Sequence, residues 1–167
     1  MGWFFSLSAE FGLIQANAKS FAEYFNNISL VLSDGEQFSW KAGSVLEAGG
    51  ESSNWWCMVY PKKADGRDID VFKDWQQMNE LAPLLYDRLQ FAPPFRYAIV
   101  GIEVDEFRTY EELLADDLIK EEPEKFSGLV ISEEIWKKLD SSPHGFVGFK
   151  QGYFWIPFCP LTYWGEN

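Results

Sequence analysis

Aromatic side chains set the tightest limit on what this chain can fold into. Fifteen Phe, eight Trp and seven Tyr are spread along 167 residues, with no long stretch free of them. Each buried aromatic removes about 150–250 Å² from water, so a core built from them closes with few residues. Such a chain is expected to fold rather than remain disordered. The length fits one domain. No internal repeat is evident, and strand-like and helix-like segments are intermixed. The Gly/Ser-rich stretch at 42–54 is too short to separate two cores. A single domain over residues 1–167 is expected, its tail from about residue 160 loosely attached.

The exterior is expected to be acidic. Twenty-six Asp and Glu face 14 Lys and Arg, giving a net charge of −12. That field repels nucleic-acid backbones and anionic membranes and attracts a basic protein. The same charge also serves solubility alone. Cys57 and Cys159 make no disulfide framework, and each lies in an aromatic run suited to a buried thiol. No basic segment precedes the first apolar stretch, and no run reaches the ~20 apolar residues of a membrane span. The start Met1-Gly2-Trp3-Phe4-Phe5-Ser6 fits the loose myristoylation pattern, but a first strand explains the same residues. The location expected is the cytoplasm.

Periodicity gives the elements. Alternation predicts a strand over 3–9. Phe21, Ala22, Phe25 and Ile28 predict a short helix over 16–27. Asp34-Gly35 predicts a type I′ hairpin between 28–33 and 36–41. The stretch 42–54 reads as a loop, and 55–60 as a strand stopped by Pro61. Val71, Trp75, Met78, Ala82, Leu85 and Leu89 draw one apolar stripe, so the longest helix is expected over 68–90, kinked or split near Leu81 by Pro83. A central strand is expected over 96–104. Thr109 and Glu112 suit a capping box for a helix over 110–119. A strand over 128–131, a helix over 133–139 capped by Ser132 and an aromatic hairpin over 146–158 complete the pattern. The expected architecture is α+β: a mostly antiparallel sheet of about six or seven strands, with one long helix and several short ones packed on it.

Few residues suggest chemistry. His144 is the one histidine. With Cys57, Cys159, Asp140 or Ser142 it makes a conceivable nucleophile–base site, but its Ser-Ser-Pro-His-Gly setting reads as a polar turn. Asp65, Asp68, Asp70 and Asp74 suit a hard cation, yet lack calcium-loop spacing and fit the positive end of a helix. There is no P-loop, no dinucleotide fingerprint, and no zinc or serine-hydrolase motif. No cofactor, metal or catalytic residue is assigned.

Two features point to binding. Glu103, Asp105, Glu106, Glu111, Glu112, Asp116 and Asp117 form a dense acidic region, either a solvated face or a surface that mimics phosphate charge. Trp55 and Trp56 are adjacent, so in a strand they point to opposite faces. Both are core residues if both faces are covered; otherwise one is an exposed anchor. The function expected is protein binding. In its sharper form the chain is an immunity or antitoxin protein that occludes a basic toxin, such as a nuclease, with acidic and aromatic surface. The alternatives are a small hydrolase using paired carboxylates or a Cys/His pair, and a carbohydrate- or small-ligand-binding module with a Trp platform.

Overall fold

The computed structural model describes residues 4–48, 52–139 and 145–161. Eight antiparallel strands form one sheet: β1 (Phe5–Gly12), β2 (Ser29–Val31), β3 (Gln37–Leu46), β4 (Trp55–Lys63), β5 (Tyr97–Ile102), β6 (Val130–Ser132), β7 (Val147–Lys150) and β8 (Tyr153–Trp155). Their order across the sheet is β2-β3-β4-β1-β5-β6-β8-β7. Helices α1 (Gln15–Phe25) and α2 (Trp75–Leu89) cover one face. The other face lies under α3 (Tyr110–Ala115), α4 (Leu118–Glu121), a 3₁₀ turn at Pro123–Phe126 and α5 (Glu133–Lys138). The α+β expectation holds, with two corrections. The sheet has eight strands rather than six or seven, and two helices exceed a couple of turns rather than one.

The two faces are already written into β1. Phe5, Leu7, Ala9 and Phe11 point toward α1 and α2, where Phe21, Phe25, Leu81 and Leu85 meet them with no exposure. Ser6, Ser8 and Glu10 point the other way and are equally buried. Small serines let the chain after β5 lie close against the sheet. Ser6 Oγ donates to Asp105 Oδ1 at 2.8 Å, and Ser8 Oγ accepts from the Glu106 amide at 3.4 Å. β5 is central and buried on both faces, as its composition predicts.

Several boundaries move, each for a local reason. α2 starts at Trp75 rather than 68, because Asp70 closes its own turn: its Oδ1 accepts from Phe72 and Lys73 amides at 3.0 and 3.3 Å. Such side-chain bonds compete with helix formation. Pro83 leaves α2 continuous. It sits on the exposed side, away from the sheet, while the buried stripe through Met78, Ala82 and Leu85 holds the helix in place. The expected loop at 42–54 is strand as far as Leu46, since β3 stays in register with β4 from Phe38↔Lys63 to Leu46↔Trp55. β4 also runs through Pro61. Its partner Trp40 bonds outward to Asn27 and Ile28, so the Trp40↔Pro61 pair needs no amide from the proline. The β2–β3 turn is not type I′: Gly35 has φ +84°, but Asp34 is not in the left-handed region. The expected 110–119 helix divides at Asp116, whose Oδ1 accepts from the Leu118 amide at 3.0 Å. Thr109 caps α3 by accepting from the Glu112 amide, and Ser132 caps α5 by accepting from Ile135.

Candidate functional site: an acidic cleft beside the sheet

Glu10 is the least expected residue of the fold, a carboxylate with 0 % exposure in a central strand. Burying an isolated charge is prohibitive, so it must be paired. Arg96 enters β5 directly beside it. Arg96 Nε donates to Glu10 Oε1 at 2.7 Å, and its Nη2 donates to Oε2 at close range. The Gly12 amide donates to Oε1 at 2.7 Å, and the backbones join through Arg96 N to Glu10 O at 2.7 Å. This bidentate geometry is the strong form of the interaction. The guanidinium lies 3.8 Å from the centre of the Tyr110 ring, a cation–π contact. Burial works against its charge, but the bonds and charge of Glu10 outweigh it and hold Arg96 above its ordinary range. Lys138 Nζ donates to Tyr110 Oη at 2.8 Å, tying α5 to α3.

Above this column opens a cleft of about 740 Å³, lined among others by Glu47, Asn54, Arg96, Tyr110, Glu111 and Glu112. Glu47 is nearly buried, and its Oε1 accepts from Trp56 Nε1 at 2.9 Å. Trp56 meets Tyr97 edge to face at 5.5 Å. Burial, then the charge of Glu10, with smaller contributions from Glu47 and Glu112, pushes the Tyr97 hydroxyl above its ordinary range. It therefore remains a donor, to Arg108 O at 2.7 Å. Among the described residues Arg96 is the one cation in the lining, and Glu10 already neutralises it. The carboxylates of Glu47, Glu111 and Glu112 set the sign of the cleft.

The acidic residues singled out by sequence divide into two groups. Glu103, Asp105 and Glu106 fasten the loop after β5. Glu103 Oε1 accepts from the Phe4 amide at 2.8 Å while its own amide donates to Phe4 O at 2.8 Å. Asp105 accepts from Ser6 Oγ and from Tyr60 Oη. Burial, then that bond to Asp105, pushes the Tyr60 hydroxyl above its ordinary range. Glu106 Oε1 accepts from the Ala48 amide at 3.0 Å. Glu103 and Glu106 take φ of 56° and 47°, a region glutamate seldom visits, and these bonds hold them there. Asp116 pairs with Arg108 at 3.2 Å. Glu111, Glu112 and Asp117 are exposed, and their carboxylates have no hydrogen-bond or ion-pair partner among the described residues. Glu112 thus forms only half of a capping box.

The tryptophan pair is resolved differently from a surface anchor. Trp56 has no exposure, and Trp55 is partly buried against the α1–α2 side of the core. Both faces of the sheet are covered at this point, so Trp56 offers no stacking platform. His144, with Asp140 and Ser142, lies outside the described residues. Cys57 is buried, whereas Cys159 is exposed in an irregular segment, not buried as its aromatic neighbours suggest. Burial pushes the Cys57 thiol up to about 12, which leaves almost no thiolate near neutrality. Iodoacetamide at pH 8 is therefore expected to alkylate Cys159 alone in the native protein and both thiols in denaturant; peptide mass mapping reads this directly, and native labelling of Cys57 contradicts it.

Of the aspartates considered for metal, Asp65 pairs with Arg67, Asp68 with Lys62 and Asp74 with Lys63, while Asp70 makes its turn. Among the described residues, no group of three or more His, Cys, Asp or Glu is placed to hold a metal ion, and no helix is long and apolar enough to cross a membrane. Sequence reasoning passed over Glu10, Glu47, Arg96 and Tyr110. The one signal was a glutamate on the polar side of β1, a pattern that an ordinary solvated strand face shares. Comparison with known proteins finds no family model, curated protein or solved structure that matches the chain at a significant level.

Proposed function

We propose that the chain is a protein-binding module for a basic partner, of the immunity or antitoxin type, and that it occludes the cationic surface of a toxin such as a nuclease. The observation that carries this reading is the division among the carboxylates. Asp105 and Glu106 make hydrogen bonds that fix the loop over the sheet, whereas Glu111 and Glu112 line a negatively charged cleft with no such bonds and Asp117 is exposed on the adjoining turn. A nuclease presents a cationic groove to phosphate. A layer whose backbone is already fixed to the sheet through Tyr110 presents these carboxylates without a folding step, and their field accelerates encounter. Trp56 contributes by supporting Glu47 from within rather than by touching the partner.

The test uses the product of the gene adjacent to this one. Its expression is expected to arrest growth, and co-expression of this chain to restore it. Association measured by stopped flow is expected to slow steeply with added salt. The variant Glu111→Lys/Glu112→Lys/Asp117→Lys is expected to associate about ten-fold or more slowly at low ionic strength, since steering supplies a factor of about 10–10³. Asp116 is left intact because it pairs with Arg108. An adjacent product that binds the triple variant at an unchanged rate, or adjacent products that do not bind at all, overturn the reading.

A further inference from the structure

The edge of the sheet at β3 is left half unpaired. β2 accompanies β3 only through Ser29↔Ser39, and Ile28 and Asn27 extend the pairing to Trp40. From there β3 continues to Leu46 with β4 as its one strand neighbour among the described residues. Backbone groups alternate along a strand between its two sides. Trp40 points outward, so Ala42, Ser44 and Leu46 do too. The Ala42 amide reaches Asn26 Oδ1 at 3.3 Å. The Ala42 carbonyl and both peptide groups of Ser44 and Leu46 have no hydrogen-bond partner among the described residues.

Beyond Lys41 and the Asn26 contact to Ala42, the edge from Gly43 to Leu46 carries no charge, bulge or cover among the described residues. Natural edges are kept short, charged, bulged or covered. Here Gly43, Val45 and Leu46 are exposed, with Val45 at 43 % and Leu46 at 47 %. The register with β4 is unbroken. The opposite edge, β7, is shorter, bulged and carries Lys150. Beside the β3 edge runs an apolar groove of about 560 Å³ on the face that carries the acidic layer, lined by Gly43, Val45, Met58 and Tyr60 with Asp105 and Glu106 at its margin. A side chain built on Gly43 meets nothing within 4 Å, so the space above the strand is open.

We infer that β3 receives an extended segment of the basic partner as a ninth strand, paired to Ala42, Ser44 and Leu46, with alternate side chains entering the groove. The occupant follows from the groups that must be satisfied. A row of alternating amides and carbonyls is matched by another strand, while pockets for every second side chain supply selectivity. Charge chooses among strands. Asp105 and Glu106 border the groove, Glu103 is exposed nearby, and Lys41 is already bonded to Asn27 Oδ1 at 2.7 Å. Lysine or arginine at the positions flanking the apolar ones complements that margin. This inference rests on the basic-partner reading but names a different contact from the Glu111–Glu112 surface.

The test uses a nine-residue peptide of alternating lysine and valine, a matching peptide of alternating glutamate and valine, and a fully N-methylated lysine/valine analogue. Amide exchange and chemical shifts of the ¹⁵N-labelled protein are followed by NMR. The lysine peptide is expected to protect the Ser44 and Leu46 amides, with affinity at least ten-fold above the glutamate peptide. N-methylation is expected to lower affinity at least ten-fold without any change to the protein. Ser44→Pro removes an amide that points away from β4, as Pro61 lacks one opposite Trp40, so it is expected to keep the fold and lose the peptide. If the lysine peptide shifts Glu111 and Glu112 but leaves Ser44 and Leu46 exchange unchanged, or if the methylated peptide binds as well, edge pairing is overturned and the basic-partner reading stands. If both charged peptides protect Ser44 equally, the basic occupant is overturned, and that reading with it.

Discussion

Gly128→Ala is expected to destabilise the protein by about 3–5 kcal/mol, combining a left-handed backbone penalty with overpacking of a rigid neighbour. Gly128 has φ +84°, and a Cβ there would lie 2.0 Å from Tyr86 Oη and 3.0 Å from Cζ. That hydroxyl cannot simply swing away. It donates to Gly128 O at 2.8 Å and accepts from the Val100 amide at 3.1 Å, so it joins α2, β5 and the turn before β6. Trp155 and Phe158 pack on the same ring at 5.0 and 5.7 Å. Burial holds the Tyr86 hydroxyl above its ordinary range, so it stays protonated and keeps both roles. Tyr86→Phe alone is expected to cost about 2–3 kcal/mol, because a buried amide and a buried carbonyl each lose a partner. In the double variant the nearest clashing atom is gone, so the two losses should sum to less than their separate values. Urea denaturation of the four proteins measures this cycle. A Gly128→Ala loss below about 1 kcal/mol, or strict additivity, would mean that the close approach of Gly128 and Tyr86 does not constrain the fold.

The Tyr86–Gly128 contact also shows where sequence reasoning stops. The stripe through Met78, Ala82, Leu85 and Leu89 was sufficient to place α2, because a helix must bury one side. The apolar run around Ile99 was sufficient to place a buried central strand. Neither pattern states which ring meets which glycine across the sheet, since that depends on register between distant segments. The same limit applies to β3. Gly43 and Ser44 argue for a loop locally, and only the long pairing with β4 makes them strand. The acidic run from Glu103 to Asp117 was legible as one charged region, of which Glu111, Glu112 and Asp117 are the exposed carboxylates without partners among the described residues. Glu103, Asp105 and Glu106 have the same composition and do structural work, for their roles come from partners 45 to 99 residues away. Trp56 was undecidable from alternation alone, which gives the face it points to but not whether that face is covered.

Glu10 is the extreme case of that limit, and it leads to the second large effect. Arg96→Met is expected to lower stability by about 3–5 kcal/mol, because removing one partner of a buried pair strands the other charge. Glu10 has no exposure and, among the described residues, no second cation bonded to it. Methionine retains most of the apolar contact with Tyr110 while deleting the guanidinium, so the loss reports on charge rather than on packing. The reverse change, Glu10→Gln, should cost less, since the Arg96 side chain is 27 % exposed and reaches water beyond Tyr110. The glutamine oxygen can still accept from the Gly12 amide. Adding Glu10→Gln to Arg96→Met should therefore recover more than half of the stability lost by Arg96→Met alone, since the double variant buries no unpaired charge. Chemical denaturation of the three variants beside the parent protein settles the order. If Arg96→Met and the double variant unfold at the same denaturant concentration, the Glu10–Arg96 pair is not what anchors α3 and the acidic cleft to the sheet, and the preorganisation on which the binding reading depends loses its physical basis.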